Sequence, residues 1–155
     1  MGPMSAITIE RVGHVVLKVR SLERSVPFYR DVLGLREVAR LHGRMGVMVF
    51  FSATGENHHD LALLEVGADA PRPEPQAVGL YHVAFKIGDS LEALRAARDV
   101  LAARGIRYAL ADHRVSQSLY VNDPDGNGIE LYVDADPRIW RDDPSAVATV
   151  GPLAL

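Results

Sequence analysis

The 155-residue chain contains no cysteine, which removes disulfides, thiolate nucleophiles, iron–sulfur clusters and cysteine-based zinc sites from consideration. Any metal must therefore sit on histidine and carboxylate. No apolar run is long enough to cross a bilayer, and the opening MGPMSAITIE has no charged stretch leading into an apolar one. A cytoplasmic location with no membrane partner is expected. Basic residues are not in excess either: 17 Lys and Arg against 20 Asp and Glu give a net charge of -3 and a pI near 6.0. Without a basic field for phosphate backbones, nucleic acid is not an expected partner. What is present is ordinary globular material, 48% hydrophobic and 24% charged. A chain of this length folds as one domain and buries roughly 70% of its unfolded surface.

The chain is written twice. GHVVLKVRSLERSVPFYRDVL, starting at residue 13, lies over YHVAFKIGDSLEALRAARDVL, starting at residue 81, without a gap, each match being 68 positions apart. His14 meets His82, Lys18 meets Lys86, and Arg30-Asp31-Val32-Leu33 meets Arg98-Asp99-Val100-Leu101. Repeats of this kind mark a duplicated supersecondary unit. Each copy opens with an alternating strand and continues into a helix. In the second copy Asp89 or Ser90 caps that helix, Leu91, Leu94 and Leu101 form its apolar stripe, and Gly105 ends it. In the first copy Pro27 suits a first turn, so the helix is expected to start near Ser25 and run to Gly34. Strand-like runs follow at about 36–41, 45–52 and 60–66, and again at 106–111, 117–122 and 128–134. The expected fold is α+β, two tandem βαβββ modules forming a curved mixed sheet around a metal site. Module 1 spans about 10–66 and module 2 about 79–134, within one domain covering 1–141. The connector 67–78, GADAPRPEPQAV, carries three prolines that forbid regular structure. Residues 142–155 form a C-terminal tail that covers a site or a partner chain, or frays.

Alternation along strands puts Val15, Leu17 and Val19 on one face and His14 and Val16 on the other; likewise Val83, Phe85 and Ile87 oppose His82 and Ala84. In the last strand Ile129, Leu131 and Val133 oppose Glu130 and Tyr132, and Tyr120 lies opposite Leu119 and Val121. A single strand histidine is more often a hydrogen-bonded surface group than a ligand. Two histidines and one glutamate at matching strand positions satisfy the 2-His-1-carboxylate pattern of non-haem Fe(II) sites, and they favour a metal if the sheet curls so that these faces line one concavity.

GHVVLKV followed by FYRDVLGL resembles the vicinal oxygen chelate superfamily. HHDLAL, GLYHVAF, DHRVS and SLYVNDPDGNGIELY resemble its extradiol ring-cleaving branch, of the catechol 2,3-dioxygenase type. The resemblance covers about residues 10–141. It implies His14, His82 and Glu130 as iron ligands, His59 as the acid–base histidine, and Tyr120 and His113 as hydrogen-bonding residues at the substrate and oxygen side. The implied cofactor is Fe(II), with Mn(II) or another divalent metal as the alternative. The implied partners are an aromatic diol and O2, and a homodimer is left open. Two other readings share the fold: a glyoxalase- or epimerase-type metalloenzyme, and a non-catalytic drug-binding resistance protein. The glyoxalase type needs a fourth ligand in the last strand of module 1. There the repeat places Ala62 opposite Glu130, and Glu65 is three residues away. Arg114 departs from the resemblance, standing after His113 where a small residue is expected.

Overall fold

The sequence repeat is also a repeat in space. In the computed structural model, which describes residues 6–155, each half builds its own four-stranded mixed sheet. The opening pentapeptide MGPMS, part of the stretch read above for a leader, lies outside the described residues. The first sheet contains β1 (Val15–Val19), β2 (Arg36–Gly43), β3 (Gly46–Ser52) and β4 (Leu61–Glu65), in the order β1-β4-β3-β2. The second contains β5 (Val83–Gly88), β6 (Ala109–Asp112), β7 (Ser116–Asn122) and β8 (Gly128–Asp134), in the order β5-β8-β7-β6. The opening strand of each module pairs in parallel with the closing one, Val16 opposite Ala62 and Ala84 opposite Glu130. The expected α+β fold of two tandem βαβββ modules is what the structure shows, with one four-stranded mixed sheet per module.

The second helix follows its sequence signals. α2 (Leu91–Ala103) starts after Ser90, buries Leu94 and Leu101, and is followed by Gly105 in the left-handed region at φ 66°. The first helix departs from expectation. α1 (Leu22–Pro27) begins three residues before Ser25, with Ser21 as its N-cap. The Ser21 hydroxyl does not cap it; Glu65 Oε2 accepts from Leu22 N at 2.7 Å instead. A carboxylate from the far end of β4 therefore satisfies an orphan donor of this helix and meets its positive end. Pro27 closes the α-helical stretch rather than opening it. The chain continues as a wide π-type turn (Phe28–Val32), closed by Leu33 N bonding to Phe28 O at 3.1 Å. A widened turn next to a proline accommodates the amide hydrogen bond the proline cannot make.

The inward residues of both sheets join one core with the two helices: Leu17, Val19, Val49, Phe51 and Leu63 from the first, and Leu119, Ile129, Leu131 and Val133 from the second. The modules are also locked by polar contacts. Tyr29 Oη donates to Asp123 Oδ2 at 2.8 Å, and Arg20 N donates to Asp125 Oδ2 at 2.8 Å. The tail is structured. α3 (Arg138–Asp142) and a 3₁₀ turn (Pro144–Ala148) lead to Gly151, which exchanges two backbone hydrogen bonds with Asp112. Among the described residues no helix is long and apolar enough to cross a membrane.

Candidate functional site

Glu130 is the polar centre of the second module. Its backbone lies in β8 between Ile129 and Leu131, both core residues, so alternation turns its side chain to the outer face. The residue is buried at 8% exposure, yet both carboxylate oxygens have partners. Ser118 Oγ donates to Oε1 at 2.5 Å, Tyr120 Oη donates to the same oxygen at 2.9 Å, and His82 Nε2 stands 3.0 Å from Oε2. A buried carboxylate needs such partners, because an unpaired one in a low-dielectric setting costs several kcal/mol, on the order of ~3–5. β8 approaches His82 closely because residue 128 is glycine. A Cβ there would stand 2.8 Å from the Tyr81 carbonyl and 3.2 Å from the His82 Cβ.

A hydrogen-bonded chain runs from Glu130 to the tail. Tyr120 Oη is 2.7 Å from His113 Nε2, and His113 Nδ1 donates to the Thr149 carbonyl at 2.9 Å. With Nδ1 committed to a carbonyl, the single phenolic proton serves either Nε2 or Glu130 Oε1. The phenolic oxygen thus has a potential acceptor on either side within hydrogen-bond reach. Burial pushes the Tyr120 phenol up to about 12, aided by its hydrogen bond to the Glu130 carboxylate, so it remains a donor. These groups open onto a cleft of about 390 Å³, walled by Val115, Val147, Ser116 and Tyr132. Its size is within the range of small-molecule sites.

The other proposed residues gather elsewhere. His14 precedes β1 and is exposed; its ring centroid is 4.2 Å from that of His59 and 6.3 Å from that of His58. His58 Nδ1 and His59 Nδ1 are 2.5 Å apart. The His59 pKa is lowered, first by desolvation and then by the neighbouring His14 and His58, which favours its neutral, proton-accepting form. The loop that carries it is tied down by Asn57 Nδ2, which donates to the Gly13 carbonyl at 2.8 Å and the His59 carbonyl at 2.7 Å. The structure therefore brings His82, Glu130, Tyr120 and His113 together, and separately His14 with His59. Among the described residues no three His, Asp or Glu side chains of one chain converge closely enough to hold a single ion.

Three contributors were missed in the sequence. Ser118 lies two residues before Tyr120 on the same strand face, so the alternation that selected Tyr120 also selects it. The Thr149 carbonyl and Val147 come from the tail, whose sequence has no period to place it. Arg114, expected to be a small residue, adopts φ 64°, a conformation that favours glycine, with its amide bonded to Asp112 Oδ1 at 2.8 Å.

Residues 11–131 match the family described as the Glyoxalase/Bleomycin resistance protein/Dioxygenase superfamily. The chain is 38% identical over 133 residues to a catechol-2,3-dioxygenase of Bacillus subtilis (strain 168), covering 85% of this chain and 44% of that protein. It is 36% identical over 129 residues to a biphenyl-2,3-diol 1,2-dioxygenase 3 of Rhodococcus globerulus, covering 80% and 63% respectively. The chain thus spans less than two thirds of either relative's length. A solved glyoxylase/bleomycin resistance protein/dioxygenase domain from Frankia sp. EAN1pec superposes with a TM-score of 0.71 at 21% identity, over 84% of this chain and 96% of that one. By sequence and by architecture, the chain belongs to the glyoxalase/bleomycin resistance/dioxygenase superfamily, the vicinal oxygen chelate proteins.

Proposed function

We propose that this chain is an extradiol ring-cleaving dioxygenase that uses O2 to open a catechol-like aromatic diol. The observation that carries the reading is the His82–Glu130 pair, an imidazole nitrogen and a carboxylate oxygen 3.0 Å apart, beside the Tyr120–His113 proton chain in one apolar-walled cleft. The two relatives described above, whose names place both on aromatic diols, support the same reaction class.

Of the donors that the resemblance implies, His82 and Glu130 stand within reach of one ion while His14 lies on the other module; two imidazoles and one carboxylate are donor types that suit a divalent metal and leave coordination positions free. Fe(II), or Mn(II) as the alternative, would supply Lewis acidity toward the diol and redox chemistry with O2. The protein's own groups do the rest. Ser118 and Tyr120 fix the Glu130 carboxylate, as outer partners of a metal ligand commonly do. His59, on module 1 beside His14 and with its pKa lowered by desolvation, is the residue to which we assign proton transfer with a diol hydroxyl. Tyr120 and His113 hold a proton at the phenolic oxygen facing the cleft, and Val115 and Val147 offer apolar walls against the ring. The product is a ring-opened semialdehyde cleaved beside the two hydroxyls.

Glu65 weighs against the glyoxalase-type reading. It is occupied as the cap of α1, and Ala62 holds the strand position that corresponds to Glu130. Oxygen consumption by Fe(II)-loaded protein tests the proposal: catechol or a substituted catechol should consume O2 in a one-to-one ratio, and hydroquinone should be inert. Turnover of methylglyoxal with glutathione, together with failure of every diol, would replace this reading with the glyoxalase one.

A further inference from the structure

The cleft at Glu130 continues beyond the space beside His82. Along the outer face of β8, Glu130, Tyr132 and Asp134 follow one another at alternate positions, so the first and last stand about 13 Å apart at roughly 3.3 Å per residue. A second compartment of about 430 Å³ lies toward the Asp134 end and shares Val115, Tyr132 and Val147 with the first. Trp140 and Pro144, both from the tail, close it beside Asp134. A catechol seated at Glu130 covers roughly half of that strand length, so it leaves the Trp140 end unfilled. The tail holds this wall in place. Gly151 exchanges two backbone hydrogen bonds with Asp112, the Thr149 carbonyl meets His113 Nδ1, and Ala146 is buried. The Arg141 guanidinium stands 5.4 Å from the centroid of the Trp140 ring, a cation–π contact that steadies the indole.

We propose that this compartment takes an apolar, ring-sized substituent of the diol, and that Trp140 is the residue that selects it. Trp140 is 47% exposed and Val147 65%. One exposed apolar side chain is ordinary, whereas two on a wall continuous with a polar reaction cleft form the apolar lining of a ligand site. The charges around it set the class of substituent. Among the described residues that line this compartment none is basic, and its one acid, Asp134, is matched by Lys86 Nζ at 2.8 Å. Lys86 is also committed to Asp89, at 2.6 Å. An anionic substituent would find no free counter-charge there, while an uncharged ring exchanges water for the indole and Val147. The substrate class is then a catechol carrying an uncharged aryl or cycloalkyl group, in preference to catechol itself or to a carboxylate-bearing one. The inference rests on the ring-cleavage reading for the diol end alone.

Trp140 is the chain's one tryptophan, so indole emission reports on this compartment directly. Titrated into the parent protein without added metal, ortho-cyclohexylphenol should move that emission to shorter wavelength and saturate, because the cyclohexyl group replaces water at the indole. Phenol at the same concentrations should not. Trp140→Ala, followed by calorimetry in place of fluorescence, should bind ortho-cyclohexylphenol at least about tenfold more weakly, since a large apolar contact is lost. Absence of a saturable shift, or equal binding by the folded variant, overturns the proposal. With Fe(II)-loaded protein, kcat/KM for a cyclohexyl-substituted catechol should exceed that for catechol, and Trp140→Ala should cut that preference by at least about tenfold, through KM. A preference that the variant leaves intact, or a stronger one for a carboxylate-bearing catechol, overturns selection by Trp140. If the phenol analogue shifts the emission while no diol consumes O2, the compartment stands as a site for an apolar ring and the ring-cleavage reading falls.

Discussion

Tyr120 and Glu130 are directly opposed in β7 and β8, and the phenolic hydroxyl donates to the carboxylate across 2.9 Å. The same hydroxyl lies 2.7 Å from His113, whose ring is held from behind by the Thr149 carbonyl. Removing the hydroxyl breaks the proton chain in its middle while Ser118 and His82 still hold the carboxylate. Tyr120→Phe should therefore keep metal content and slow kcat by about a hundredfold, the lower range of acid–base contributions. Steady-state kinetics beside metal analysis checks this, and an unchanged kcat counts against the chain's role.

His59 and Glu65 are close in sequence and differ in duty. His59→Phe should retain metal and slow ring cleavage by about two orders of magnitude or more, since only a proton-handling group is lost. Glu65→Gln keeps an acceptor for Leu22 N and should change neither metal content nor turnover. Glu65→Ala leaves that amide uncapped and should cost about 1 kcal/mol of stability, read as a lower unfolding midpoint, again with metal retained. Metal loss in either Glu65 variant would instead make Glu65 a ligand.

The buried Tyr29 phenol makes stability depend on alkaline pH. Burial, then the Asp123 carboxylate, raises its pKa above the ordinary value of 10.0, so the folded state holds the phenolic proton more tightly than the unfolded chain does. For a group whose folded pKa is raised, the stabilisation is complete below the unfolded pKa and is lost as pH rises beyond it. Denaturant midpoints should therefore be insensitive to this group below about pH 9 and fall above about pH 10. Tyr29→Phe should lower the midpoint near neutrality and flatten the alkaline decline. An equally steep decline in the variant would remove Tyr29 as its source.

Much of this was legible in the sequence because duplication and alternation are local signals. The 68-residue offset located both modules, and the period of two assigned His82, Glu130 and Tyr120 to one face before any coordinates. The start of α1 was not legible: its cap is Glu65, 43 residues away, and proline rules speak only of neighbours. Nor does alternation say where a face points in space. It identified the outer sides of two sheets correctly and implied one concavity, whereas the direction of those sides is set by helix packing between modules. The tail was opaque for the same reason. Its contacts, Thr149 with His113 and Gly151 with Asp112, depend on where the second sheet ends.

The most direct test of the account is metal binding by the parent protein and by two variants, measured by anaerobic equilibrium dialysis against Fe(II) and repeated with Mn(II). The parent should bind about one ion per chain, a site of three donors with open positions. His82→Ala and Glu130→Ala should each weaken binding by at least about tenfold while remaining folded by circular dichroism. Variants that bind as tightly as the parent would contradict the assignment of this cleft as the metal centre.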